Sequence, residues 1–179
     1  MHSPNPYDEG LEKNAANYTP LSPLSFIERA AHTFPTVTSV IYQQKRYTWS
    51  QTYQRSKQLA SALRSLGIQP GDTVSAMLPN VPAMYELHFG VPMTGAVLNT
   101  LNIRLNAEVL AFMLDHCQCK VLFVDPEFTA VIKQTLLLMT EPKPIIIDVD
   151  DIHFGSARRI GKYEYEAFIS KGDKDFTWQ

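Results

Sequence analysis

Residues 66–105 read LGIQPGDTVSAMLPNVPAMYELHFGVPMTGAVLNTLNIRL, and this stretch decides the fold. A turn rich in glycine and proline precedes residues 73–78, a short apolar run that is typical of a buried strand. Pro82 lies at the first position of a predicted helix, where its missing amide hydrogen costs nothing, and Gly95 is the predicted cap. Residues 96–98 form a second short apolar run. Strand, helix and strand in this order predict two parallel strands joined by a crossover helix, the unit of an α/β sheet.

The alternation of helix and strand signals continues on both sides of this unit. Upstream, the sequence predicts an amphipathic helix, a hairpin and a second helix, and downstream it predicts helices that alternate with buried strands. The predicted elements are a helix after the N-cap Ser22, strands over 37–42 and 46–49, a helix after the N-cap Ser50, a helix after the N-cap Asn106, a strand over 120–125, a helix over 126–138, a strand over 144–149 and a short helix over 162–171. This order predicts an α/β fold with a parallel-rich, doubly wound sheet flanked by helices.

The helix predicted after Ser50 divides into an apolar and a polar face. The side chains predicted to point inward are Tyr53, Leu59, Ala60, Leu63 and Leu66. Those predicted to point into solvent are Gln54, Arg55, Lys57 and Arg64. This division is that of a helix with one face packed on a core.

Length, composition and charge narrow the class of protein. A chain of 179 residues with 45% hydrophobic and 19% charged residues is typical of one globular domain. We expect an arm over residues 1–20, the α/β domain over 21–171 and a tail over 172–179. A net charge of −2 favours neither nucleic acid nor an anionic membrane as a partner. The sequence shows no leader peptide and no apolar run of the roughly 20 residues that a membrane span needs.

Two cysteines, Cys117 and Cys119, lie one residue apart. So close a pair is poorly placed for a disulfide and favours a reducing compartment, in which thiols stay free. His116 beside them raises the alternative of a zinc site, since thiolates and imidazole are zinc ligands. A structural zinc site needs four ligands, and no second ligand pair follows at a suitable spacing. Buried thiols at a junction between a helix and a strand are therefore the favoured interpretation.

The glycines and His88 are the next candidates for chemistry. Phosphate-binding loops need glycines close together, and the eight glycines here are dispersed, with neither GxGxxG nor GxxxxGK[ST]. His88 lies among apolar residues on a predicted helix. A hydrogen-bonded histidine of the core or of a groove is favoured over a catalytic base, because no serine or cysteine nucleophile has an evident partner.

Charged residues cluster after the strand predicted over 144–149. Asp148, Asp150 and Asp151 lie where open α/β sheets place their ligand sites, and three carboxylates can hold a hard cation. A solvated turn is the favoured alternative. Arg158 and Arg159 follow as a pair that can meet a phosphate, but adjacent arginines are ordinarily surface residues. The sequence therefore assigns no catalytic, cofactor-binding or metal-binding residue.

Five phrases of the sequence resemble one family, the adenylate-forming acyl-CoA synthetases, or AMP-binding acid–thiol ligases. They are NAANYTPLSPLSFIERAA, RYTWSQTY, MLPNVPAMYELHFGVPMTGAVLNTLNIRL, LDHCQCKVLFVDPEF and GKYEYEAFISKGDKDFTWQ. The closest resemblance is to bacterial short- and medium-chain acyl-CoA synthetases and to plant acyl-activating enzymes. It implies the fold of the N-terminal subdomain of such a ligase. Residues 99–104 match the family best and are expected to be a structural segment without a catalytic role.

The resemblance implies activation of a short- or medium-chain carboxylic acid with ATP, Mg²⁺ and coenzyme A, through an acyl-AMP. In this family a Thr-Ser-Gly-Thr-Thr-Gly-x-Pro-Lys-Gly loop follows the segment similar to FTWQ, whereas this sequence reaches Gln179 without it. We therefore expect the chain to correspond to the first third of a ligase, to be inactive alone and to bind none of these cofactors alone. The alternative is a non-catalytic truncated protein or a small module that binds a partner. The expected location is the cytoplasm, or the peroxisome if the source is a plant, and an exposed apolar surface is expected to favour self-association.

Overall fold

A computed structural model describes residues 10, 12–151 and 159–178. Six helices and seven strands follow one another along the described chain. They are α1 (Pro23–Thr33), β1 (Thr38–Tyr42), β2 (Lys45–Thr48), α2 (Trp49–Ser65), β3 (Thr73–Met77), α3 (Pro82–Gly90), β4 (Val97–Thr100), α4 (Ala107–His116), β5 (Val121–Val124), α5 (Thr129–Leu138), β6 (Ile145–Asp148), β7 (Tyr163–Glu164) and α6 (Tyr165–Ile169). None of the helices in these residues has the length and apolar character needed to cross a membrane.

Five strands form one sheet in the order β4-β3-β5-β6-β7, and every neighbouring pair in it is parallel. The pairing of β3 with β4 confirms the parallel unit predicted from residues 66–105. The strands β1 and β2 form a separate antiparallel hairpin, as predicted. All four residues of β5 are buried, because this strand lies inside the sheet and both its faces are covered.

Helices cover both faces of the sheet, which confirms the doubly wound α/β architecture. On one face, α2, α3 and α6 pack on alternate residues of β3 and β5, including Val74 and Phe123. On the other face, α4 and α5 pack on the residues between them, including Met77 and Leu122. The alternation of side chains along a strand therefore supplies two cores from one sheet. A third, smaller cluster joins α1 to α2.

The chain after α6 returns to α2. The backbone amide of Asp173 donates to Ser61 Oγ at 3.0 Å, and Trp178 Nε1 donates to the hydroxyl of Tyr53 at 3.0 Å. Phe176 packs with Trp178 against the cluster that joins α1 to α2. Residues 172–178 contain no helix or strand, as the sequence predicts. The division of the chain into an arm, a domain and a tail remains a prediction.

Helix starts show where local sequence signals are reliable. Ser22 and Asn106 cap α1 and α4 as predicted, and each side-chain oxygen accepts from a backbone amide of the first turn. The prediction of Ser50 as the cap of α2 is wrong. Thr48 is the cap, because its hydroxyl and the Gln51 side chain form a reciprocal capping box. Trp49, predicted at the end of a strand, therefore lies in the helix.

Two other boundaries differ from the prediction. The helix that begins at Pro82 ends at Gly90, and a short 3₁₀ turn over Pro92–Thr94 precedes Gly95, whose φ of 74° is left-handed. Gly95 is thus the cap of that turn and not of the helix. The strand β7 lies within the span predicted as a short helix, 162–171. Its two residues are too few to show a strand pattern, and its pairing with β6 places them in the sheet.

Candidate functional site at the carboxyl edge of the sheet

The carboxyl ends of the parallel strands form the candidate site. The chain leaves β3 for β4 on one side and later places β5 on the other side of β3, so the strand order reverses between β3 and β5. Open α/β sheets bind ligands outside the carboxyl ends at such a switch point. Asp125 directly follows β5, and Asp148 ends β6. Two carboxylates therefore lie at the edge where a ligand is expected.

Asp148 is a buried acceptor for backbone amides. Its side chain accepts from the amide of Gly161 at 2.7 Å and from the amide of Ile160 at 3.3 Å. It is only 1% exposed. The favoured interpretation of a solvated turn is therefore wrong for Asp148, because this carboxylate fixes the segment that leads into β7.

Asp150 and Asp151 are engaged by other side chains. Arg159 forms an ion pair with Asp150. The Tyr42 hydroxyl, at the end of β1, donates to Asp151, and this bond to a carboxylate raises the pKa of Tyr42 to about 12. No group of three metal-binding side chains occurs among residues 10, 12–151 and 159–178, which removes support there for the cation site. The position of Arg158 lies outside the described residues.

Asp125 differs from these carboxylates, because one of its oxygens has no partner. Its Oδ1 accepts from the Glu127 amide at 2.9 Å and caps the turn that leads into α5. Its Oδ2 is buried without a hydrogen bond in the part of the chain that the structure describes. Burial raises the pKa of Asp125, and the bond from the Glu127 amide opposes that rise only in part. The switch point thus contains a carboxyl group that is costly to ionise.

Asp125→Asn is expected to stabilise the fold at pH 7, because the neutral amide removes the cost of ionising a buried carboxyl group. Because the native pKa of Asp125 lies above its ordinary value of 3.8, the native state holds the proton more tightly than the unfolded state. Wild-type stability therefore falls as the pH rises from about 3.8 through the native pKa, whereas asparagine does not titrate. Urea denaturation at pH 4 and pH 7 measures the difference.

Asp115→Asn is the matched control for this prediction, because its expected effect on stability at pH 7 has the opposite sign. The Asp115 carboxylate accepts from the amide and hydroxyl of Thr140 at 2.9 and 2.8 Å, and these bonds lower its pKa. The stability that it contributes is present above its ordinary pKa and is lost as the pH falls through the native value. Asp115→Asn should therefore be destabilising at pH 7. Equal effects of Asp125→Asn at the two pH values would contradict the role of the orphaned oxygen.

An ion network lies beside the edge, below a cleft of about 40 Å³. Arg55 Nε and Nη2 donate to the two carboxylate oxygens of Glu86 at 2.6 and 3.1 Å. The same guanidinium donates to Glu166 at 2.7 and 2.9 Å, and the Tyr165 hydroxyl donates to Glu86. Glu86 is 1% exposed and Arg55 17% exposed. This Arg55–Glu86–Tyr165–Glu166 network joins α2, α3 and α6 over the sheet.

The network overturns the prediction that Arg55 points into solvent. Burial alone would lower the pKa of Arg55, but its bonds to Glu166 and Glu86 outweigh that effect and raise it. The ring of Tyr47 lies 4.9 Å from the guanidinium carbon and covers its face. The helix pattern missed this placement because Glu86 and Glu166 lie 31 and 111 residues away in sequence.

The remaining candidates do not join this edge. His88 is exposed, lines a groove of about 300 Å³ and has Nδ1 2.8 Å from the Met84 carbonyl oxygen, which confirms the interpretation of a hydrogen-bonded histidine in a groove. His116 stacks on Phe112 with ring centroids 5.6 Å apart. Cys117 and Cys119 are free thiols between α4 and β5, partly exposed and buried respectively, which confirms the favoured interpretation for Cys119 and in part for Cys117.

Comparisons with known proteins assign the chain to a family. A family model described as "AMP-binding enzyme" matches residues 27–168, more than three-quarters of the chain. A peroxisomal acetate/butyrate–CoA ligase of Arabidopsis thaliana is 47% identical, over 96% of this chain and 32% of its own. An acetate–CoA ligase of Humulus lupulus is 44% identical over the same shares. The chain thus spans about a third of the length of these relatives, in their N-terminal part.

A solved structure shares the fold. The anthranilate–CoA ligase whose crystal structure contains anthranoyl-AMP superposes with a TM-score of 0.78 at 19% sequence identity. The match covers 87% of this chain and 29% of that chain. At this identity the likeness shows the fold alone, and it agrees with the five-stranded parallel sheet flanked by helices. Because the family model matches residues 27–168, which is most of this chain, the chain belongs to the family of AMP-binding enzymes.

Proposed function

We propose that this chain is the N-terminal part of an acyl-CoA synthetase. The proposed reaction joins a short- or medium-chain carboxylic acid to coenzyme A at the expense of ATP, through an acyl-AMP. The observation that carries the proposal is 47% identity over 96% of the chain to an acetate/butyrate–CoA ligase. Mg²⁺ as the partner of ATP and a free carboxylic acid as the substrate belong to the same proposal.

We propose that residues 1–179 alone bind neither ATP nor coenzyme A. The glycines are dispersed, and one first-turn amide in each of α1, α2 and α4 donates to the capping side chain, Ser22, Thr48 or Asn106, whereas α3 and α5 have no side-chain cap. Within the described ranges no cluster of three metal-binding side chains is present for Mg²⁺. We therefore assign no step of the reaction to a side chain of this chain. Its proposed role is structural: the chain forms a scaffold that consists of the parallel sheet and the Arg55–Glu86–Tyr165–Glu166 network.

The compartment is also part of the proposal. The Arabidopsis relative is named as peroxisomal. A plant source would favour the peroxisome for this protein, and another source would favour the cytoplasm. Net charge of −2 supports a small-molecule substrate over nucleic acid as the partner.

Acid-dependent exchange of pyrophosphate into ATP tests the proposal. The assay compares residues 1–179 with the product of the whole native reading frame, using acetate and butyrate as substrates. We expect exchange from the whole product and none from residues 1–179, because we propose that these residues alone bind neither ATP nor coenzyme A. A whole product without acid-dependent exchange would overturn the ligase assignment. Exchange by residues 1–179 alone would instead overturn the scaffold role.

An apolar groove between α1 and α3 is expected to make the isolated chain self-associate. The groove has a volume of about 450 Å³. It is lined by Leu21, Pro23, Phe26, Ile27, Trp49, Tyr85 and Phe89. Leu21 is 86% exposed and Phe26 55% exposed, and exposed apolar patches of this kind favour association. Light scattering should show a mean mass that rises with concentration, and a hydrophobic dye should bind.

Phe26→Gln should reduce both signals. Leu137→Gln is the matched control, since Leu137 is 80% exposed on α5, away from the groove. A compact monomer that binds no dye would show that the groove does not drive association. Equal effects of the two substitutions would place the interaction elsewhere on the surface.

A further inference from the structure

The Cys117 thiol and two neutral polar groups meet between β3, β4 and the end of α4. Cys117 Sγ lies 3.5 Å from Asn99 Nδ2 and 3.9 Å from Ser75 Oγ. Asn99 Nδ2 also donates to Ser75 Oγ at 3.2 Å. Ser75 is fully buried, so the amide and hydroxyl are held in place by the sheet. Cys117 therefore faces hydrogen-bond donors that can stabilise a sulfur anion, and its thiol also has one acceptor, the Leu114 carbonyl oxygen at 3.6 Å.

The two sulfurs differ in exposure and in partners. Cys117 is partly exposed, whereas Cys119 is 3% exposed and donates to the Val121 carbonyl at 3.1 Å. Gln118 between them adopts a left-handed conformation with φ of 48°, which turns the chain sharply. Reagents in solvent can thus reach Cys117, while Cys119 is sheltered behind it.

The pKa values of the two thiols also differ, and the more exposed thiol has the lower pKa. The neighbouring Cys119 thiol, with smaller contributions from Ser75 and Asn99, lowers the pKa of Cys117 to about 6 against the effect of burial. The neighbouring Cys117 sulfur and burial raise the pKa of Cys119. All of these contacts are with neutral groups. Within the pair, Cys117 is therefore the sulfur that loses its proton more easily.

We propose that Cys117 is a site of oxidation by hydroperoxides and that Cys119 resolves the oxidised sulfur as an intramolecular disulfide. In the first step the Cys117 thiolate attacks one peroxide oxygen, an S–O bond forms, and the O–O bond breaks. With hydrogen peroxide, hydroxide leaves and takes up a proton as water. In the second step Cys119 sulfur attacks the sulfenic sulfur, an S–S bond forms, and the S–O bond breaks. The departing hydroxide takes the Cys119 proton and leaves as water.

The spacing of one residue, which makes the pair poorly placed for a lasting disulfide, would make the proposed disulfide strained and readily reversible. Its ring encloses a single intervening residue, Gln118, and its formation removes Cys119 from the Val121 carbonyl. Strained disulfides have higher reduction potentials and are reduced more easily by thiols. The pair is therefore suited to reversible oxidation, and not to permanent cross-linking.

Intact mass spectrometry after treatment with hydrogen peroxide tests the proposal on the whole 179-residue chain. The wild type should lose the mass of two hydrogens, regain it with dithiothreitol and yield a peptide with Cys117 bonded to Cys119. Cys119→Ser should retain the sulfenic acid, which dimedone traps at Cys117. Cys117→Ser should not be oxidised under the same conditions. Circular dichroism of each variant checks the fold.

Asn99→Ala in the Cys119→Ser background tests the positioning role of the amide. Dimedone trapping after peroxide treatment should slow about 2–10-fold at pH 6, the effect of one hydrogen bond on the thiolate, and should match the parent at pH 9. Asn80→Ala, at an exposed asparagine outside the cluster, is the control. A reduction that is equal at both pH values would overturn the role of Asn99.

Three results would overturn the cysteine assignment itself. One is oxidation of Cys117→Ser at the wild-type rate. The second is a wild type that accumulates the dimedone adduct without the disulfide, which would remove Cys119 as the resolving residue. The third is a disulfide formed only between two chains, which peptide mapping of the wild type detects directly even if a variant fails to fold.

Discussion

Arg55→Ala is expected to lower the free energy of unfolding by about 3–5 kcal/mol, the cost of removing one partner from a buried ion pair. Glu86, at 1% exposure, would keep the Tyr165 hydroxyl as a donor but lose both guanidinium bonds. The penalty comes from the carboxylate left without a counter-charge, not from the loss of surface attraction. Urea denaturation measures the change.

Two further variants separate this explanation from a general loss of packing. Arg55→Met combined with Glu86→Leu and Tyr165→Phe should recover much of the stability, because a buried ion pair can be replaced by apolar residues of similar volume and the third change removes the hydroxyl that Glu86 accepts from. Lys133→Ala, at an exposed position of α5, should change the free energy of unfolding by less than about 0.5 kcal/mol. A triple variant that is no more stable than Arg55→Ala would refute the charge-based explanation.

Phe123→Ala should destabilise the fold by about 3–5 kcal/mol through loss of buried surface and the cavity that remains. Phe123 lies on β5 inside the sheet and is completely buried. Its ring contacts Tyr165 and Phe168 edge-on, with centroids 6.0 and 6.4 Å apart, so it anchors α6 to the sheet. The denaturation midpoint in urea should fall accordingly.

The matched control for this prediction is Leu137→Ala, because Leu137 is 80% exposed. Phe123→Leu keeps most of the buried volume and should cost less than the alanine substitution. A loss below about 1 kcal/mol for Phe123→Ala would mean that the neighbouring rings close the cavity, and that α6 does not depend on Phe123 for its position.

The parallel sheet was predictable because its signals are local. Each strand from β3 to β6 is an apolar run bounded by turn residues, and the helix that begins at Pro82 separates two of them. Ser22 and Asn106 were found as caps for the same reason, since a cap is read within one turn of its own helix. The α/β class and the order of most elements follow from these short-range patterns.

The candidate site was less predictable, because its contacts are long-range. Arg55 has the pattern of an exposed helix position, and only the fold brings Glu86 and Glu166 to it. Asp148 has the pattern of a polar turn, but the segment before β7 supplies backbone amides that require a buried acceptor. No periodicity in the sequence encodes such a pairing. The sequence indicates such a pairing only through a charged residue that lies next to the apolar face of its helix or strand.

The return of the chain to α2 has a consequence for synthesis on the ribosome. Tyr53 and its partner Trp178 are 125 residues apart, so the start of α2 is made long before the residue that returns to it. At translation rates of roughly 5–20 residues per second, this delay is about 6–25 s. Tyr53 at the start of the nascent α2 is therefore without its Trp178 partner for a period in which chaperones can bind there, and this part of α2 reaches its native packing only after α6 has emerged.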